Sequence, residues 1–209
     1  MASNDWRAAL AAVAGDWALD PPAIEALAIY LEQLGRWNRV HNLTAVRDPA
    51  QWIRRHILDS LTLRPYLHGD RVLDVGTGAG LPGFVLAATE REREFCLLDS
   101  AAKRIRFLRN VIGLARLSGV EAVHVRIEDF QPSAPYTTVL ARAFKAPADM
   151  VSRVAPQVAE GGRVLAMLGQ RSVVAEPLPA PWSYRSVDPV TIPGETAERH
   201  IAIIERADP

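Results

Sequence analysis

The stretch Asp74-Val75-Gly76-Thr77-Gly78-Ala79-Gly80-Leu81-Pro82-Gly83 carries the densest chemical signal in the chain. Glycines let a backbone turn sharply and bring its amides close to a ligand. Two spacings overlap here. Gly78, Gly80 and Gly83 form G-x-G-x-x-G, the dinucleotide fingerprint. Asp74 with Gly76, Gly78 and Gly80 forms instead the acidic-x-G-x-G-x-G loop of S-adenosylmethionine (SAM) enzymes. Asp74 falls inside a strand end, where a carboxylate repels a pyrophosphate but can orient the loop and meet a cationic amino acid. The glycine placed directly at that strand end is Gly76, not Gly78. These two features, with the antiparallel tail described below, favour SAM over a dinucleotide or a plain structural turn.

Asp99 ends the next predicted strand, about 20 residues on, where an acid can accept both ribose hydroxyls of either ligand. The bland alternative is that Asp99 or Ser100 caps the helix that follows. Ile127-Glu128-Asp129 follows the third strand at the same sheet edge. An acceptor there can take an adenine amino group while Ile127 packs on the ring. Spacing does not choose between Glu128 and Asp129.

Elements must exist to hold these residues, and the chain supplies them. Its 209 residues are 49% hydrophobic, enough for one domain, or one with an extension, that folds without staples. Trp6, Leu10, Val13 and Trp17 share one face of a short helix. Pro21-Pro22 opens a second, striped by Ile24, Leu27, Leu31 and Leu34 and running to about Trp37. Residues 38–48 read as a loop, and Asp48-Pro49 as the cap and first turn of a third helix through about Leu61. From Arg71 strands and helices alternate: strands at 71–75, 94–98, 120–126, 137–141 and 163–168, helices at 81–89, 100–114 and 147–160. The last helix is read as closed by Gly161-Gly162. That alternation predicts a parallel sheet with helices on both faces. Residues 183–192 and 200–206, joined through Pro193-Gly194 without a helix, predict an antiparallel pair at the end. The division expected is 1–62, a helical segment packed on the core, and 63–209, the α/β domain.

Composition excludes several classes. Cys96 is the only cysteine, so neither an intramolecular disulfide nor a cysteine zinc cluster is possible, and no metal site is expected. Asp5, Arg7 and Asp16 argue against a signal peptide, and no apolar run approaches a membrane span, so a cytoplasmic protein is expected. Lys+Arg and Asp+Glu both count 24, which gives no global footprint of a nucleic-acid binder. Yet all of those cations except Lys103 and Lys145 are arginine, the better bidentate reader of phosphate and guanine. An arginine- and alanine-rich coding bias is the simpler reading.

At these residues the chain resembles the RsmG family, also called glucose-inhibited division protein B. The strings that carry the resemblance are Asn42-Leu43-Thr44-Ala45, Arg55-His56-Ile57-Leu58-Asp59-Ser60, the loop Asp74 to Gly83, Leu98-Asp99-Ser100 with Lys103-Arg104, Arg142-Ala143-Phe144, and Pro193-Gly194 with Arg199-His200. It spans about residues 20 to 206. It implies a class I SAM-dependent methyltransferase fold, Rossmann-like, with a mostly parallel seven-stranded sheet. It implies also a methyl transfer to nitrogen-7 of a guanine in small-subunit (16S) rRNA, and SAM contacts at Gly76, Leu81, Asp99, Ile127, Glu128 and Arg142. Asp74, Gly78 and Gly80 join that set as the rest of the loop. One position departs: Leu168 stands before Gly169 where the family carries lysine, a cation that Arg171 is placed to replace.

Guanine nitrogen-7 presents a lone pair and no proton, so the reaction needs orientation rather than a general base. No Ser-His-Asp or Cys-His set is evident in the sequence, and the five histidines read as structural. Arg142 and Lys145 flank the end of the fourth strand and are positioning candidates. Arg36, Arg39, Arg47, Arg54, Arg55, Lys103, Arg104, Arg106, Arg109, Lys145 and Arg171 are candidates for the RNA surface, each equally readable as a solvated arginine or lysine. The expected partner is 16S rRNA, free or within an assembling small subunit, with the enzyme a monomer. An NAD(P)-linked oxidoreductase and a non-catalytic SAM-fold RNA-binding module are the competing functions.

Overall fold

Residues 3–142, 147–169 and 177–207 are described by a computed structural model of the chain. The N-terminal region holds α1 (Ser3–Ala11), α2 (Ala14–Trp17) and α3 (Pro21–His41). A single helix through Trp17 was expected, but the turn at residues 12–13 breaks it. Trp6 and Leu10 stay buried on one side of the break, while Val13 and Trp17 only lean on the core. α3 begins as its prolines dictate, with the Asp20 carboxylate accepting from the Ala23 amide at 2.7 Å. Such a cap contributes about 1 kcal/mol. The helix then outruns the predicted end at Trp37 because nothing in residues 38–41 breaks it. Asn42, at φ 48°, terminates it in the left-handed region that asparagine tolerates.

Asp48 caps the next segment as its sequence demands, accepting from the Ala50 amide at 3.0 Å. That segment is not one α-helix. A 3₁₀ turn (Pro49–Gln51) leads into a π-helix (Ile53–Leu58) and then the single turn α4 (Asp59–Leu61). π-helical turns are rare and concentrate at functional sites.

The α/β region contributes β1 (Arg71–Val75), α5 (Gly83–Thr89), β2 (Glu94–Asp99), α6 (Ala102–Ala115), β3 (Val120–His124), β4 (Tyr136–Arg142), α7 (Pro147–Val154), β5 (Val158–Leu168), β6 (Trp182–Pro189) and β7 (His200–Arg206). They form one seven-stranded sheet, ordered β3-β2-β1-β4-β5-β7-β6. β1, β2, β3, β4 and β5 run parallel, and β7 inserts antiparallel between β5 and β6. Only β7 is therefore reversed. α7 ends at Val154, six residues before the predicted closure, and Gly161-Gly162 lie inside β5, not at a helix end. They form an irregularity where β5 pairs with β4, with Gly161 at φ +68°. A Cβ on Gly162 would press on the Ala159 and Thr137 carbonyl oxygens, so the glycines serve a strand kink.

The N-terminal helices share their core with the sheet's helices. Tyr30 of α3 stacks on Phe84 of α5, with centroids 4.9 Å apart, and tilts against Phe107 of α6. The Tyr30 hydroxyl donates to the Ala79 carbonyl at 2.9 Å, tying α3 directly to the glycine loop. Among the described residues no helix is long and apolar enough to cross a membrane, and no cluster of His, Cys, Asp or Glu is arranged to hold a metal.

Candidate functional site

Strand order reverses beside β1, whose neighbours β2 and β4 each continue outward in opposite directions. Open α/β sheets bind ligands outside the carboxyl ends of their strands at such a switch. Two cavities, of about 220 and about 200 Å³, lie there and share Gly76.

The loop between β1 and α5 is held from beneath. The Gly76 and Thr77 amides both donate to the Leu98 carbonyl, at 2.8 and 3.0 Å, fastening the loop to the end of β2. Asp74 is fully buried, and its Oδ2 accepts from the Thr77 hydroxyl at 2.6 Å and the Gly83 amide at 2.8 Å. A Cβ on Gly83 would overlap both Asp74 and Leu97. Asp74 thus organises the loop from within. Gly80, at φ +94°, fits under Leu108 and Phe84, where a Cβ would collide. Gly76 differs: its φ of +68° demands glycine, yet a Cβ there would meet only open space. That space is where a ligand can lie against the backbone. Gly78 and Leu81 line the second cavity with it.

Asp99 lines the first cavity and is 3% exposed. Its Oδ1 accepts from the Ala101 amide at 2.8 Å, a local turn that keeps the carboxylate fixed. Its Oδ2 accepts from the Gly78 amide at 2.9 Å and from Arg104 at 3.1 Å. Of the two roles open by sequence Asp99 takes the cavity-lining one: the N-cap of α6 is Ala101, without a side-chain bond, and the Asp99 turn lies ahead of the helix. Ile127, 8% exposed, and Glu128 line the same cavity. Glu128 is held below the usual carboxylate range by a hydrogen bond from its own backbone amide and by Arg153, which donates to Oε1 at 2.6 Å.

Sequence reasoning missed three contributors. Arg153 reaches the cavity only because α7 packs on the 127–129 turn, a contact with no local signal. Thr44 and His56 line the second cavity opposite the glycine loop. His56 is 2% exposed, and its Nδ1 faces the Arg55 carbonyl at 3.0 Å. A carbonyl only accepts, so Nδ1 carries the proton and Nε2 accepts from the Thr44 hydroxyl at 2.9 Å. The Thr44 amide donates to Asn38 Oδ1 at 2.9 Å, its Oγ1 accepts from the Val46 amide at 3.1 Å, and Trp52 Nε1 donates to the Val46 carbonyl at 2.8 Å. Residues 42–47 are thereby pinned between α3 and the π-helix. His56, read from the sequence as structural, lies in the cavity wall.

The cationic candidates divide. Arg104 belongs to the Asp99 cluster. Arg54 donates to the Gly194 carbonyl at 2.7 Å, and both Arg54 and Arg55 pair with Glu195. Arg199 pairs with buried Asp59 at 3.2 Å. The widely separated strings around Arg55 and Pro193 are thus two sides of one contact. Arg109 donates to the Ala122 carbonyl, Lys103 lies 3.4 Å from the His41 carbonyl, and Arg36 pairs with Glu32. Arg39, Arg47 and Arg106 are exposed, without a carboxylate partner among the described residues. Leu168 is 6% exposed and shares a small cavity with Met150, so in this chain the position packs. Arg142 ends β4, but its side chain, like Lys145 and Arg171, lies outside the described residues.

Residues 23–202 match the family model described as rRNA small subunit methyltransferase G. A protein of that name from Idiomarina loihiensis is 45% identical over 174 residues, covering 83% of this chain and 84% of its own. The one from Methylococcus capsulatus is 45% identical over 179 residues, 85% and 87% of the two chains. That of Escherichia coli K12 is 42% identical over 181 residues, 86% and 87%. Among solved structures, the glycopeptide N-methyltransferase MtfA aligns at TM-score 0.58 and 13% identity over 77% of this chain and 100% of its own. TrmN from Thermus thermophilus aligns at 0.54 and 18% over 81% and 53%. These likenesses are of fold.

Proposed function

We propose that this chain, which belongs to the rRNA small subunit methyltransferase G family, transfers a methyl group from SAM to nitrogen-7 of one guanine in small-subunit (16S) rRNA. We place it in the cytoplasm as a monomer, acting on rRNA free or within an assembling subunit, with residues 1–62 as an N-terminal segment on the 63–209 catalytic domain. The observation that carries the reading is the pair of cavities meeting at Gly76, with one buried carboxylate between them and open space above the glycine.

The residues present suit SAM. Asp99 is the acceptor for the ribose hydroxyls, sharing its Oδ2 with Arg104 and Gly78. Ile127 offers an apolar surface to the adenine ring, and Glu128 an acceptor for its amino group. Gly76, Gly78 and Leu81 supply the backbone floor on the side of Thr44 and His56. When bound, SAM supplies an electrophilic methyl on a positively charged sulfur. The protein's work is orientation, worth roughly 7–11 kcal/mol when reacting atoms are held in line. Asp74 and His56 contribute by fixing the two walls, and Arg142, the last residue of β4, is the candidate to hold the guanine or the donor. Against the dinucleotide alternative stands the register: Gly76, not Gly78, directly follows β1 and opens on both cavities.

The test is methylation in vitro of small-subunit rRNA from a strain lacking the gene, mapped by borohydride reduction and aniline cleavage. A single SAM-dependent cleavage at a guanine is expected. Methyl incorporation that yields no cleavage at any guanine refutes the nitrogen-7 assignment.

A further inference from the structure

A third cavity, of about 590 Å³, opens on the far side of residues 42–47 from the methyl-donor cavities. One short loop forms both walls: Leu43, Thr44 and Ala45 face the donor side, whereas Asn42 and Arg47 face this groove. From α3 come Arg36, Arg39 and Glu32. Arg36 and Glu32 form an ion pair, so the groove's uncommitted charge is that of Arg39 and Arg47, neither with a carboxylate partner among the described residues. Its aromatic members, Trp6 and Trp52, are stacked on one another and buried, and offer no face for a base. Gly35 also lines the groove, in the interior of α3, although a Cβ there would make only an ordinary contact with Trp52 at 3.6 Å. Packing does not demand glycine at a position where it weakens a helix. Its effect is to keep the groove open.

We propose that this groove binds the phosphodiester backbone of the unpaired RNA strand on one side of the target guanine, with Arg39 and Arg47 holding phosphates. The proposal rests on the methyltransferase reading above. A base presented to a recessed donor must leave its stack, so its neighbours are single-stranded. They must then leave the donor cavity across the pinned loop 42–47, and the groove lies directly beyond it. With arginines but no accessible aromatic ring, it reads charge and not sequence. Arg54, Arg55 and Arg104, equally basic in sequence, are committed to carboxylates and do not form this track.

The experiment uses the full chain and a fluorescent single-stranded RNA spanning a guanine, titrated at several salt concentrations, with SAM affinity measured in parallel by calorimetry. For Arg39→Ala/Arg47→Ala the expected result is at least tenfold weaker RNA binding at low salt, for matched and scrambled sequences alike. The slope of log affinity against log salt flattens by about 0.7 for each phosphate contact removed, and SAM affinity stays unchanged. Glu32→Gln, which removes the groove's only acid among the described residues, should tighten RNA binding. Unchanged RNA affinity and slope in the double variant, with SAM binding intact, overturns the groove but not the methyltransferase. A parent protein that binds SAM but not this RNA overturns the groove, while the methyltransferase reading stands or falls on the cleavage assay above.

Discussion

Asp74 could fasten the glycine loop or meet the ligand's ammonium group, and its replacement separates the two roles. Its Oδ2 receives the Thr77 hydroxyl and the Gly83 amide in a fully buried setting. A hydrogen bond to a carboxylate contributes roughly 1.5–3 kcal/mol, so losing both in Asp74→Ala removes about 3–6 kcal/mol. Relief of the carboxylate's own desolvation returns part of that, leaving an expected loss of about 2–4 kcal/mol. For a chain of this size each kcal/mol moves Tm by about 2–4 °C, so Tm should fall by about 4–16 °C. Thr77→Val removes one contact and should cost about 1–3 kcal/mol, and a double-mutant cycle should return a coupling of about 1–3 kcal/mol. Thermal melts followed by circular dichroism give the stabilities, and calorimetry well below both transitions gives SAM affinity. An Asp74→Ala protein with the parent's Tm and no SAM binding would refute the loop-fastening role and return the carboxylate to the ligand's ammonium group.

Asp99→Asn should weaken SAM binding at least tenfold by calorimetry and also lower Tm by several degrees, because the amide oxygen can accept from only one of the Gly78 and Ala101 amides and the Arg104 ion pair is lost. Retained affinity in the folded variant would remove Asp99 from the site. Burial pushes the Cys96 thiol up to about 12, against a hydrogen bond from Tyr136 that acts the other way. Its folded value lies above the unfolded one, so its contribution to stability is full below about pH 8.5 and declines from there toward about 12. The native thiol should resist iodoacetamide at pH 8 and react on unfolding; labelling of the folded protein at the unfolded rate contradicts the burial.

What the sequence made legible was local. The glycine loop declares itself because positive φ at Gly76 and Gly80 admits almost nothing else, and the caps at Asp20 and Asp48 because side-chain oxygens bond amides two or three residues on. The strands of the sheet follow from short apolar runs between helical stretches. What stayed hidden depends on contacts between distant segments. Gly161-Gly162 look like a helix end, and only their pairing opposite β4 makes them a kink in a strand. Arg153 enters the site through helix packing, and Thr44 and His56 through a bond across 12 residues. The π-helix has no compositional mark at all. Arg54 and Arg55 read as RNA-facing until Glu195, from the other end of the chain, is seen to hold them.

That last point bears on how a neutral molecule recognises a polyanion. With 24 cations and 24 anions, no net charge draws RNA to the protein. Each acid that engages an arginine also withdraws that arginine from the competition for phosphate, as Glu25 does for Arg7, Glu32 for Arg36 and Glu195 for Arg54 and Arg55. Pairing is therefore a filter as well as a weak source of stability, which for exposed pairs is about 0–1 kcal/mol each. Among the described cations without a carboxylate partner, Arg39 and Arg47 sit beside the loop that walls the donor cavity, and two placed there suffice. Neutrality elsewhere then favours RNA whose shape delivers a guanine to that cavity over RNA that merely carries charge. Supplying the same two arginines within a strongly basic surface would raise affinity for every RNA and erode the preference that a single-site enzyme requires.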